Sequence, residues 1–298
     1  MSFNENIRTS PGRASSGGRG GRGAAIGGGS ALGLIALFVI YQFTGIDLTP
    51  VLDDQQAPPV ETSQVGQGFE HCTDGAAANT YDDCRMIATA ESLDAMWGDQ
   101  LPEQAGVKYS QPGLVLFKQA VASGCGQASS ATGPFYCPAD RTVYMDTDFF
   151  GLLRSQFGAQ AGPLAQEYVL AHEVGHHIQN QLGIFSTYDT REQGEQGAGV
   201  RSELQADCYA GIWMHYASTT IDPDTGVAFM EPPTDADIRD ALEAAQVIGD
   251  DRIQARSQGR INPDTWTHGS SEQRMTWLKV GLDHGSLAKC DTFKAPGV

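Results

Sequence analysis

The chain's 298 residues, 40% hydrophobic and 18% charged, can bury the core of one large domain or two small ones. The formal charge of −17 is unevenly spread, because Met1–Ile46 carries four arginines against one glutamate and leaves −20 on the remainder. So acidic a body excludes nucleic acid as a partner, since phosphates demand Lys and Arg.

Residues 1–23 form a Gly/Ser-rich tail with Arg8, Arg13, Arg19 and Arg22. The run 24–46 holds no charge, includes LGLIALFVIYQF, and at about 1.5 Å per residue matches a hydrocarbon core of roughly 30 Å. One transmembrane helix is therefore expected there. The positive-inside rule puts the tail in the cytoplasm and everything after Asp47 on the exported, extracytoplasmic side of the cytoplasmic (inner) membrane. A cleaved signal peptide is the alternative, but no small-residue cleavage site follows the apolar run. Residues 47–69, with Pro50, Pro58 and Pro59, read as a linker, and 70–298 as the folded domain. All six cysteines lie beyond the span, where thiols stay oxidised. The shortest loops pair Cys72 with Cys84 and Cys125 with Cys137, leaving Cys208 for Cys290.

Apolar residues at three- and four-residue intervals predict a helix over Met86–Leu101. Leu114–Phe117 is a short strand, and Phe135–Cys137 with Thr142–Met145 reads as a hairpin turning at Pro138, Ala139 and Asp140. Further helices are expected over Asp146–Phe157, Pro163–Leu182, Ser202–Ala217 and Asp235 to about Arg256. Gly183–Arg201, with four glycines, reads as a long loop.

The helix over Pro163–Leu182 carries HEVGH. Positions four apart share a helix face, so His172 and His176 can bind one metal ion, while Glu173 is offset toward a metal-activated water as a general base. Gly175 costs helix stability and marks close approach by another backbone. A catalytic zinc takes a third protein ligand, and Glu203 in RSELQAD is the candidate, with Asp207 on the same face to accept a hydrogen bond from a ligand imidazole. His177 points about 100° away from His176 and suits packing. His268 precedes a capping segment at Ser270 or Ser271 and is a candidate catalytic residue.

HEVGH followed by ELQAD, with GPFYCPADRTVYMD before and THGSSEQR after, resembles the putative neutral zinc metallopeptidase family of bacterial membrane-anchored proteins. The HExxH plus ExxxD arrangement is more distantly similar to thermolysin-like and Ste24-like metallopeptidases. That resemblance implies zinc on His172, His176 and Glu203, Glu173 as base, Asp207 behind the ligands, and His268 and Arg274 at the rim of the site.

The expected fold is α+β and zincin-like: a small antiparallel sheet on the metal-bearing helix, a mainly helical C-terminal half, and one transmembrane helix in front. Val143–Asp146 is the expected edge strand for an extended peptide, and His268, then Tyr188, the expected oxyanion donor. The expected activity is zinc-dependent hydrolysis of a peptide or protein substrate. Its rivals are an inactive zinc-stabilised binding module and a metal-free envelope scaffold.

Overall fold

The computed structural model describes residues 1–17, 64–130, 132–152, 154–155, 160 and 162–298. In chain order the elements are β1 (Ser15–Gly17), β2 (Gln64–Val65), α1 (Gly75–Thr80), α2 (Asp82–Ala105), β3 (Gly113–Phe117), β4 (Ala120–Ser123) and β5 (Gly126–Ser129). Then come β6 (Phe135–Cys137), β7 (Thr142–Asp146), α3 (Phe149–Leu152), α4 (Pro163–Gln181), α5 (Ile184–Thr187) and α6 (Ala198–Tyr216). The chain closes with α7 (Asp235–Val247), α8 (Asp250–Gln258) and α9 (Ser271–His284).

The architecture is α+β, with a sheet of order β2-β1-β3-β7-β6 and a small β4-β5 ribbon. The expected hairpin forms as β6–β7, with Tyr136 opposite Val143. The sheet is mixed rather than antiparallel, because β1, β3 and β7 run parallel, Ser15 opposite Val115 and Val115 opposite Tyr144. Parallel partners distant in sequence leave no turn signal, so alternation alone could not reveal them. β7 therefore lies inside the sheet, and the edge that packs on α4 is β6. This corrects the expectation of Val143–Asp146 as an edge strand.

Pro163 starts α4 where its missing N–H costs nothing. The helix is buried along Leu164, Tyr168, Ala171, Val174 and Ile178. α6 begins four residues ahead of the expected Ser202: a Cβ on Gly199 would lie 2.9 Å from the carbonyls of Thr190 and Glu192, so glycine there admits the returning loop rather than ending the helix. The expected helix from Asp235 breaks at Ile248 and Gly249, where the start of α9 packs against Gly249. All three expected disulfides are present: Cys72–Cys84, Cys125–Cys137 and Cys208–Cys290.

The expected transmembrane helix over 24–46 lies outside the described residues, and among those described no helix is long and apolar enough to cross a membrane. The N-terminal residues overturn the single-pass arrangement directly. Phe3 and Ile7 are buried in the core. Phe3 bridges to Met230, Arg8 bridges to Asp74, and β1 is seated between β2 and β3. One span at 24–46 would put these residues on the opposite side of the bilayer from the strands and helices they contact. The anchor and the inner-membrane location are thus corrected. The hydropathy argument treated the tail as solvated, whereas Phe3 and Ile7 are apolar side chains that the core takes up.

Phe3 at 2% exposure fills a core position. Phe3→Ala should cost about 3–5 kcal/mol of folding stability, read as a lower urea midpoint with unchanged slope. A midpoint equal to wild type would mean that the first residues do not belong to the core.

Candidate metal centre

The site is built where α6 crosses α4. A Cβ placed on Gly175 would lie 2.9 Å from the Ala206 carbonyl oxygen and 3.1 Å from its Cα. Only glycine admits that approach, and it brings Glu203 and Asp207, on either side of Ala206, onto the face of α4 that carries His172 and His176. The Glu203 carboxylate reaches both imidazoles, 3.2 Å from His172 Nε2 and 3.4 Å from His176 Nε2. Ligand atoms of these three residues all fall within 4.8 Å of one another.

Each imidazole is held from behind. His172 Nδ1 lies 2.8 Å from Asp207 Oδ1, and His176 Nδ1 lies 2.8 Å from Gln179 Oε1. A carboxylate only accepts, so Nδ1 of His172 carries a proton toward Asp207, and Nε2 is the atom turned toward Glu203. Asp207 is in turn the centre of a buried knot. Tyr168 Oη donates to Oδ1 at 2.6 Å, and the Arg274 guanidinium donates to Oδ2 at 2.8 Å and to Oδ1 at 2.9 Å. Arg274 was expected at the rim; at 2% exposure it lies beneath the site, braced on Asp207.

Close packing of α9 on α6 makes that reach possible, since Gly211 and Gly281 face each other with no room for a side chain on either. Burial alone would raise the Asp207 carboxyl, but Arg274 and His172 outweigh it and hold its pKa down to about 2. Burial would likewise lower His172, yet the charges and hydrogen bonds of Asp207 and Glu203 hold it up to about 10. Glu203 is pushed upward by burial and pulled well below the carboxylate range by His176, His268 and His172.

Glu173 is buried on the same helix, beside His172, and its charge is felt at His176. His268 stands on a turn fixed by Asp250, whose Oδ2 accepts the backbone N–H groups of Thr267, His268 and Gly269 at 2.7, 2.7 and 3.1 Å. The expected capping box follows, between Ser270 and Gln273. Burial pushes His268 down, but the nearby charges of Glu203 and Asp250 outweigh it and raise its pKa. Tyr188 is stacked on Phe293 with ring centroids 4.0 Å apart. His177 turns the other way, bonded through Nδ1 to the Tyr136 hydroxyl and through Nε2 to the Ser110 carbonyl.

Two imidazole nitrogens and a carboxylate oxygen, converging with both Nδ1 atoms already engaged, are a donor set that fits a catalytic zinc, which takes three protein ligands and keeps one position open. The other candidate group among the described residues, His71, Cys72, Asp83 and Cys84, has both sulfurs tied in the Cys72–Cys84 disulfide and offers no thiolate. Sequence reasoning missed Gln179 and Asp250. Gln179 was within reach, three residues after His176 and so on its face; Asp250 acts across eighteen residues and left no local signal.

The sequence profile of a family described as putative neutral zinc metallopeptidase matches residues 3–293. The chain is 51% identical to the uncharacterized protein Rv2575 of Mycobacterium tuberculosis over 254 residues, 84% of each chain. It is 42% identical to the uncharacterized protein YpfJ of Escherichia coli K12 over 294 residues, 97% of this chain and 94% of the relative. No solved structure matches.

Zinc takes neutral imidazole, whereas Asp207 and Glu203 hold the His172 pKa up to about 10. Zinc uptake should therefore release protons, and the apparent affinity should climb by about tenfold per pH unit for each proton displaced, up to the raised His172 pKa. Calorimetric titrations in buffers of different ionisation enthalpy report that release. Binding heats independent of the buffer would contradict it.

Proposed function

The chain belongs to the putative neutral zinc metallopeptidase family, and from that premise we propose that it hydrolyses peptide bonds, with His172, His176 and Glu203 holding the zinc and Glu173 acting as general base. The observation that carries the reading is the meeting of both Nε2 atoms with the Glu203 carboxylate, beside a glutamate on the same helix turn. A purely structural site has no use for Glu173.

Zinc held by these three residues would supply Lewis acidity, lowering the pKa of a water at its open position toward about 7 and steadying charge on a carbonyl oxygen. Glu173 accepts the proton of the attacking water and passes it to the departing amine, so one carboxylate serves both halves of the reaction. His268, oriented by Asp250 and with its pKa raised by the charges of Glu203 and Asp250, donates to the oxygen of the scissile carbonyl as that oxygen gains charge. Asp207 and its Arg274 and Tyr168 partners keep His172 in the tautomer that presents Nε2.

The outer edge of β6 supports a peptide as substrate. Tyr136 of β6 is bonded to His177 and Asn180 of α4, so an extended chain adding to that edge runs alongside the metal-bearing helix.

Glu173→Gln should retain zinc in a one-to-one complex and lose about 10²–10⁴-fold in peptide cleavage. The assay pairs metal analysis with cleavage of a mixed peptide library by the two full-length proteins. Undiminished turnover in the variant would refute the assignment.

A further inference from the structure

The second imidazole of the site has a support of its own. Gln179 Nε2 lies 2.7 Å from the backbone carbonyl of Ser202 and 3.1 Å from Gln205 Oε1. A backbone carbonyl can only accept, so the amide nitrogen must face Ser202, and the amide oxygen must face the other way. That oxygen meets His176 Nδ1 at 2.8 Å and takes a second hydrogen bond from Ser202 Oγ at 3.2 Å. His176 thus has no choice but to donate from Nδ1, which turns Nε2 toward Glu203 as the atom left for a metal. The amide is fully buried, so water cannot replace any of these partners.

We propose that Gln179 is the positioning residue that fixes the tautomer of His176 and, through Ser202, the spacing between His176 and the neighbouring ligand Glu203. Gln205 extends the relay by donating through Nε2 to the Cys290 carbonyl at 3.0 Å, and Cys290 is bonded to Cys208, the residue after Asp207. The supports of the two histidines therefore end on one disulfide. His172 relies on a charged acceptor braced by Arg274, whereas His176 relies on a neutral amide whose orientation is set by where its hydrogens must go. This inference rests on the zinc-site reading given above.

The experiment compares zinc affinity, by competition with a chelating dye, for the full-length wild type, Gln179→Met and Gln179→Glu, with the urea midpoint of each zinc-free protein measured alongside. Gln179→Met, which removes acceptor and donors at similar volume, should weaken zinc by about 10–100-fold. Gln179→Glu restores an acceptor opposite Nδ1 and should bind zinc within about threefold of wild type, although both variants lose the bond to Ser202 and should share a lowered urea midpoint. A merely structural role would lower the midpoints and leave zinc affinity alike in all three proteins, and that result overturns the proposal. Nitrogen-15 NMR of zinc-loaded wild type gives a check that needs no variant to fold: the His176 ring proton belongs on Nδ1, and its presence on Nε2 is equally fatal. A wild type that binds no zinc would instead remove the metal site itself.

Discussion

The contact between Gly175 and Ala206 is the constraint on which the rest of the centre depends. It sets α4 and α6 close enough for the side chains one turn apart on α6, Glu203 and Asp207, to face the two histidines one turn apart on α4. A methyl group at 175 would push against backbone, which cannot step aside as a flexible side chain can. Glycine inside a helix costs about 1 kcal/mol relative to alanine. That cost is offset by buried contacts that only close approach permits. The same device recurs on the far side of α6, where Gly211 meets Gly281 of α9 and lets Arg274 reach Asp207. Three helices are thus stacked through glycine, with the charged groups strung between them.

This stacking explains how so many charges share a buried space. Asp207 is neutralised by Arg274 and hydrogen-bonded by Tyr168 and His172, and Glu203 lies between two imidazoles. Buried charges survive when paired and hydrogen-bonded. The two imidazoles compensate Glu203 and, with His268, hold its carboxyl well below the usual carboxylate range. Both imidazoles are held by acceptors behind them, one ionic and one amide, so that the Nε2 atoms converge on Glu203.

Much of this centre was legible because helical spacing translates directly into geometry. HEVGH and ExxxD each name a helix face, and Gly175 marked a close approach by another backbone, which the structure shows to be that of Ala206. Two of the disulfides followed from loop length and the third, Cys208–Cys290, from what they left over. The hairpin β6–β7 was visible because its turn is local. What escaped depends on partners far apart in sequence: the parallel pairings of β1, β3 and β7, the burial of β7 inside the sheet, and the Asp250 anchor of His268. The N-terminal residues were misread for a related reason. Phe3 and Ile7 lie among Ser, Asn, Glu and Arg in too short a stretch to show periodicity, and only the core they enter, built from residues far along the chain, gives them a place. Gln179 is different, since its spacing from His176 was plain while its role depends on which way its amide points.

The central claim is that two histidines, through Nε2, and one glutamate make the metal centre. X-ray absorption at the zinc edge of the full-length, zinc-loaded protein tests it most directly. The account predicts scattering from nitrogen and oxygen neighbours only, with the multiple-scattering signature of two imidazoles that becomes one in His176→Ala. Sulfur in the zinc shell, or an imidazole count unchanged by that substitution, would contradict it.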